Sequence, residues 1–403
     1  MITFWIIISI ILCVGYACLQ FFYVYQWKQI DVDLATTIHK ELYVALIIPT
    51  RNEANNIESL LHSIAKQNYP SSQIEIIIVD DFSEDDTVEK AKNILQQLPY
   101  QYKILHLKNY ITNHLAHKKS AIEYAIAQTN QELIITTDAD CVVQPYWIKN
   151  IVQMFVATNA NLVASPVALQ TKSISNIWNR FECLDFCGMQ LITGASIQAK
   201  IFNMANGANL AYLKSAFLAC DGYKGIDNNA SGDDMLLIHK IAQLDKEKIF
   251  FLKNGDVITY TSTTNSIKEF LHQRFRWTSK ATLYQDKRIT IMLALVLLFC
   301  ISILVNLLLT LAFPIYYSIF PNHSLDGLLC FLNVLIFAVL FIFQFIFKTI
   351  ADYYLLKQAT RFFNAPILMN KFIVSECLHI AYIVFVGTLG NFVSSNWKGR
   401  KIK

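Results

Sequence analysis

Ile74-Glu75-Ile76-Ile77-Ile78-Val79-Asp80-Asp81 is the stretch on which the reading of this chain turns. An apolar run broken only by Glu75, it suits a central parallel strand covered on both faces, and it stops at two carboxylates. In open parallel sheets ligands bind beyond the carboxyl ends of the strands, so Asp80 and Asp81 fall where a ligand would sit. Upstream, Tyr43 to Ile48 makes a second short run ending at Pro49, and Ile57, Leu60, Leu61, Ile64 and Ala65 follow at helical spacing. Downstream, Asp85 or Asp86 can cap a helix whose inward positions are Val88, Ala91, Ile94 and Leu95. Tyr102 to Leu107 reads as a strand, Lys118 to Gln128 as a helix and Leu133 to Thr137 as a strand, giving a βαβ series. Leu162 to Ala164 reads as a further strand, Ile174 to Leu191 as a helix, and Asn203 to Leu213 as a turn and strand around Gly207.

Composition places part of the chain in lipid. Of 403 residues 54% are hydrophobic and only 16% charged, outside the usual range of soluble domains. Ile2 to Gln26 carries no charge, and roughly 20 apolar residues suffice to cross a bilayer. The stretch lacks the basic leading region and small-residue cleavage site of a signal peptide, so it reads as a retained span. No Asp, Glu, Lys or Arg occurs between Arg288 and Asp326 or between Asp326 and Lys348, which predicts spans near Ile291 to Leu311 and Gly327 to Phe347. Pro314, Pro321 and Asn322 are expected in the link between them. Phe372 to Val393 is a weaker candidate, because Ser375, Glu376, His379, Gly387 and Gly390 suit a functional, re-entrant or protein-facing helix equally well.

Lys28 and Lys40 follow the first span and no basic residue precedes it, so the middle of the chain is expected on the cytoplasmic side. A loop carrying Lys348, Lys357, Arg361 and Lys371, and the tail Lys398-Gly399-Arg400-Lys401, are expected there too; both hold only if the last segment does not cross fully. The division implied is 1–27 as a first span, 28–288 as a cytoplasmic α/β domain and 289–403 as a membrane domain. A net charge of +4 argues against nucleic-acid binding. The nine cysteines form no C-x-x-C pair and read as small hydrophobes of a reducing compartment.

Four signatures stand in order: Asp80-Asp81, Asp138-Ala139-Asp140, Asp233-Asp234 and Gln273-Arg274-Phe275-Arg276-Trp277. Taken singly, an Asp-x-Asp at a strand end is a cap or a pair of solvated acids, and a basic-aromatic helix beside a span is an interfacial belt. In this order, from Pro49 to Trp277, they resemble a membrane-bound family 2 glycosyltransferase of GT-A fold, the group that includes cellulose, hyaluronan and chitin-oligosaccharide synthases. The resemblance implies a Rossmann-like, mixed, mostly parallel sheet flanked by transmembrane helices.

It also implies roles. Asp138 and Asp140 match the D-x-D motif that holds Mg²⁺ or Mn²⁺ on the nucleotide's phosphates, a task for hard oxygen ligands. Asp81 matches the nucleoside-reading acid, with Pro49, Thr50 and Glu53 forming the other wall of that pocket. Lys118 stands where relatives carry a Gly-Lys pair and would hold phosphate or sugar, although His117 replaces the Gly. Gly207 and Asn209 match a segment lining the donor-sugar and acceptor region. Ser231-Gly232-Asp233-Asp234 matches a Glu-Asp pair, making Asp234 the catalytic base and Asp233 a shortened helper. Gln273, Arg276 and Trp277 reproduce Q-x-x-R-W, implying Arg on the diphosphate and Trp beneath the acceptor sugar.

The function so implied is metal-dependent, inverting transfer of a hexose or N-acetylhexosamine from a nucleoside diphosphate sugar, UDP first, to a membrane-associated acceptor. A growing β-linked polysaccharide is the first expectation and a membrane lipid the alternative; a catalytically silent nucleotide-sugar-binding scaffold is the rival from another class. The setting is the inner (plasma) membrane, crossed several times, with room for an accessory export or synthase subunit.

Overall fold

The structure is a computed structural model that describes residues 2–31, 41–110, 117–171, 173–202, 204–227, 232–279, 286–319, 324–390, 396–397 and 400–401. Lys40, Asn203, Ser231, Pro321, Asn322, Lys398 and Gly399 lie outside the described residues. The chain divides into two compact units, one of Gln26–Glu269 and Ser395–Lys403, the other of Met1–Tyr25 and Phe270–Ser394. Helix α1 (Ile2–Gln29) crosses the division.

The first unit is α/β. Its strands are β1 (Val44–Thr50), β2 (Ile74–Asp80), β3 (Gln101–His106), β4 (Leu133–Thr136), β5 (Leu162–Ala164), β6 (Val167–Gln170), β7 (Leu210–Leu213), β8 (Ile249–Phe251) and β9 (Thr259–Ser262). Seven of them form one sheet in the order β3-β2-β1-β4-β7-β5-β8. Strands β1 to β4 are parallel, β7 runs antiparallel to β4 and β5, and β8 is parallel to β5. β6 and β9 pair apart from this sheet, in parallel register from Val167↔Thr259 to Gln170↔Ser262.

Helices α2 (Ile57–Ile64), α3 (Thr87–Leu95), α4 (His117–Ala127), α5 (Trp147–Thr158), α6 (Ile177–Gln198), α7 (Lys214–Ala219) and α8 (Met235–Asp245) complete the unit. Sequence and fold agree closely here because β2 is buried along its whole length and β1 in all but one residue. Glu75 is tolerated at 6% exposure because Lys103 reaches it at 2.8 Å and the Thr129 hydroxyl donates to it. Asp85 rather than Asp86 serves the start of α3, accepting from the Thr87 amide; slight burial opposes ionisation, but bonds from Thr87 and the Ala54 amide hold its pKa below the ordinary value. α6 begins later than Ile174 because the Asn176 side chain caps it, accepting from the Trp178 amide at 2.8 Å.

The register puts the carboxyl ends of β1, β2 and β4 side by side, with Thr50 beside Asp80 and Thr136 beside Ile47. β1 lies where the connections part, with β2 on one side and β4 on the other. The loops after these three strands therefore meet at one crevice.

The second unit is helical. It holds α1 up to Tyr25, α9 (Ile267–Thr278) from Phe270 onward, α10 (Lys287–Ile319), α11 (Ser324–Phe362) and α12 (Phe372–Leu389). α1, α10, α11 and α12 are each long and apolar enough to cross a bilayer. Pro314, expected in a link, lies inside α10; membrane helices tolerate such a proline because neighbouring groups satisfy the freed backbone.

Lys348 corrects a second expectation. It is not in a loop but inside α11, fully buried, donating to Asp352 at 2.6 Å, to Glu376 of α12 and to His379 Nδ1 at 3.1 Å. Tyr16 of α1 donates to the other oxygen of Asp352 at 2.6 Å. A second polar knot joins Trp5, Asn306, Gln344 and Ser302, again linking α1, α10 and α11. Apolar packing of Cys13, Tyr16, Phe299, Cys300, Ile303, Ala351 and Ile380 surrounds the charged cluster.

Candidate active site

Lys118 is the centre of the site. Near the start of α4, its ammonium donates to Asp138 Oδ1 at 2.6 Å and pairs with Asp233 Oδ2 at 3.0 Å. Burial pulls its pKa down, but the adjoining carboxylates of Asp138 and Asp233 outweigh that and hold it above the ordinary value. Two signatures separated by some ninety positions are thereby joined through one cation. Lys119, its neighbour, points elsewhere, donating to the Ile226 carbonyl at 2.6 Å.

Asp234 is both a helix cap and a cleft residue. Its Oδ1 accepts from the Met235 amide at 2.6 Å at the start of α8, and its Oδ2 from the Gly207 amide at 3.2 Å. Gly232, at φ +86, supplies the left-handed turn that brings the chain into this cap. Both carboxylate oxygens are thus oriented by backbone donors, the rigid support that a proton acceptor needs.

Gly207 has no room for a side chain. A Cβ there would lie 2.8 Å from Asp233 Oδ2 and 3.2 Å from Lys118 Nζ. Thr136 at the end of β4 fixes this segment by donating to the Gly207 carbonyl at 2.9 Å. Gly207→Ala is expected to displace Asp233 and Lys118 and to lower turnover about a hundredfold while the unfolding temperature stays near that of the parent. Initial rates of nucleotide release, with thermal unfolding beside them, check this.

Asp81 lies next door. It is buried, its Oδ1 is bonded to His117 Nδ1 at 2.6 Å, and its carbonyl accepts from Arg51 at 3.0 Å. The Asp81 amide donates to Thr50 at 2.8 Å, so the loops after β1 and β2 are tied directly. The Asn52 carboxamide accepts from the Glu84 amide and the Glu53 amide donates to Thr87, extending the tie. Glu53 holds Asn56 at 2.7 Å, and Pro49 and Thr50 close β1 itself. Phe82 follows Asp81 at φ 56, a conformation uncommon for a bulky residue, and its ring meets His117 edge-on. The sequence marked His117 only as a departure from a Gly-Lys pattern; its bond to Asp81 makes it part of the site.

Asp140 is exposed and accepts from Thr261 of β9 at 3.2 Å. Among the described residues no three His, Cys, Asp or Glu side chains gather as a metal cage. A cage is not what the chemistry asks for. Mg²⁺, and Mn²⁺ by the same preference for oxygen, is held through one or two carboxylates together with substrate phosphates and water. An exposed Asp140 and a half-buried Asp138 at the end of β4 are a donor set of that kind.

Asn209 departs from the expected acceptor contact. It is 1% exposed; its amide donates to the Pro166 and Val257 carbonyls at 2.8 Å each and accepts from the Trp147 indole at 2.8 Å. Its hydrogen bonds are spent on fixing the turn before β7, so it is a core tie. Gln273, Arg276 and Trp277 belong to the helical unit. On their helix α9, Arg274 is buried: its guanidinium stands 4.4 Å from the centre of the Trp277 ring, 4.7 Å from that of Phe270 and 5.9 Å from that of Tyr382 on α12.

A mixed, mostly parallel sheet carrying an acid after β2, an Asp-x-Asp after β4 and a capping carboxylate before α8 is an architecture of the GT-A type. Residues 45–214 match the family model described as Glycosyl transferase family 2. Among curated relatives, glycosyltransferase AglE of Haloferax volcanii is 28% identical over 168 residues, 42% of this chain and 51% of the relative. A β-monoglucosyldiacylglycerol synthase of Synechocystis sp. is 26% identical over 240 residues, 58% of this chain and 47% of the relative. The chain spans about half the length of these relatives. Among solved structures, the mannosyltransferase PcManGT of Pyrobaculum calidifontis, in complex with GDP-Man and Mn²⁺, shares the fold with a TM-score of 0.61 at 18% identity, over 97% of this chain and 99% of that one.

Proposed function

We propose that the protein transfers a single hexose or N-acetylhexosamine from a nucleoside diphosphate sugar to a lipid acceptor in the membrane, with inversion at the anomeric carbon. The observation that carries the reading is Asp234, held by two backbone amides beside the Lys118, Asp138 and Asp233 cluster. In the reaction, Asp234 takes the proton of the acceptor hydroxyl as that oxygen attacks the anomeric carbon. Attack and departure of the diphosphate in one step account for inversion. Asp81, steadied by His117, accepts hydrogen bonds from the nucleoside, with Thr50 and Glu53 on the facing loop. Asp140 and Asp138 are the residues that would hold Mg²⁺ or Mn²⁺, which when bound offsets charge gathering on the leaving diphosphate. By spacing and chemistry Arg276 and Gln273 are assigned to the diphosphate and Trp277 to the acceptor sugar.

A lipid acceptor is supported by the four apolar helices, which offer little wall for a polymer conduit, and by the glycolipid synthase among the relatives. The spacing of Gln273, Arg276 and Trp277 supports a second reading, extension of a β-linked polysaccharide. The basic residues after the first span support a cytoplasmic active site at the inner membrane. Purified protein in detergent, given UDP- and GDP-sugars with Mn²⁺, is expected to release nucleotide, to stop on addition of EDTA, and to yield one chloroform-soluble product when membrane lipid is supplied. A ladder of water-soluble oligomers would move the assignment to polymer synthesis, and release from no donor would remove it.

A further inference from the structure

Resting on the reading above, we infer that Lys118 is the site's resident counter-ion: it occupies Asp138 and Asp233 while the donor is absent, and yields Asp138 to a divalent cation only when a nucleoside diphosphate arrives with it.

Three observations carry this. The ammonium is 2.6 Å from Asp138 Oδ1, so a divalent cation on that oxygen would meet a like charge at contact distance. Asp233, the other carboxylate that Lys118 engages, is buried at 9% exposure, and the absence of a side chain at Gly207 leaves the ion pair the space it fills. Lys118 itself is only partly covered, with a fifth of its side chain exposed, and among the described residues its ammonium meets only these two carboxylates, which leaves a third N–H able to donate to a phosphate oxygen.

Charge balance makes the exchange reasonable. A nucleoside diphosphate sugar brings two negative charges on its phosphates and the cation brings two positive ones, so the pair enters without changing the net charge of the cleft. Lys118 then exchanges one anionic oxygen, on Asp138, for another on phosphate, while its bond to Asp233 persists. A cation arriving alone has no such partner and must displace an ammonium already bonded to two carboxylates. Metal and nucleotide therefore bind as a unit, and Asp233 owes its place to Lys118 rather than to the metal.

The test measures Mn²⁺ binding to the purified full chain by loss of the free-ion electron paramagnetic resonance signal, with and without UDP or GDP. Wild type is expected to bind Mn²⁺ weakly alone and tightly with nucleoside diphosphate. Lys118→Met should bind Mn²⁺ alone about tenfold more tightly than wild type and bind UDP or GDP less tightly. Lys118→Arg, which keeps the charge, should retain the weak metal-only binding, and Asp138→Asn in the Lys118→Met background should cancel the gain. Equal Mn²⁺ affinity of wild type and Lys118→Met overturns the inference. If Lys118→Met does not fold, the wild-type measurement decides, since tight Mn²⁺ binding without nucleotide is incompatible with a resident counter-ion. If wild type binds no nucleoside diphosphate in the presence of Mn²⁺, the assignment as a transferase is what fails.

Discussion

Asp234→Asn should cost about a thousandfold in the rate of sugar transfer, the effect expected of losing a positioned proton acceptor. The substitution is nearly isosteric, and an amide oxygen can still accept from the Met235 and Gly207 amides that now hold the carboxylate. Binding of nucleoside diphosphate and the unfolding temperature should therefore change little, and the loss should fall on kcat rather than KM. A variant that retains more than about a tenth of parental turnover would show that another group accepts the proton. Nucleotide titration beside steady-state rates separates these outcomes.

Lys348→Met should be the most damaging single change in the helical unit. It removes a cation that both Asp352 and Glu376 engage, and it leaves two buried carboxylates facing each other. Breaking such a set by deleting one member costs about 3–5 kcal/mol. The expected result is a large drop in the temperature at which the detergent-solubilised protein loses its monodisperse peak. Adding Asp352→Asn and Glu376→Gln to Lys348→Met should return much of the loss, because the remaining groups are then neutral and able to hydrogen-bond one another. No recovery in the triple variant would mean that the cation is needed for more than neutralising its partners.

What could be read ahead of the coordinates follows from how local each cause is. The runs ending at Thr50, Asp80 and Thr136 announce buried parallel strands, because burial on two faces leaves an apolar sequence with no alternation. Asp80-Asp81 and Asp138 are placed correctly for the same reason, since a residue just past such a strand stands at the sheet's carboxyl edge. Asn209 was not legible: a carboxamide beside a glycine looks like a ligand contact, and only the Trp147 indole and the carbonyls of Pro166 and Val257, distant in sequence, reveal it as a core tie. Lys348 misled in the same manner. A lysine at the edge of an apolar run marks the membrane surface by default, and its burial depends on Glu376, 28 residues on. Pairing of β6 with β9 brings together Val167 and Thr259, and no periodicity within either segment encodes it. In sequence Asp233 reads as a shortened partner of Asp234, and its tie to Lys118 shows only once both are in place.

The bond from the Tyr16 hydroxyl to Asp352 joins groups 336 positions apart. During synthesis, at roughly 5–20 residues per second, the leading helix waits on the order of half a minute before its acceptor exists. Throughout that interval the hydroxyl has no protein acceptor on α11, and the α/β unit emerges while the helix that precedes it is still unassembled. The nascent chain, more than the finished molecule, is therefore the species that quality control inspects, and changes at Tyr16 should reduce the amount of protein made before they alter what each molecule can do.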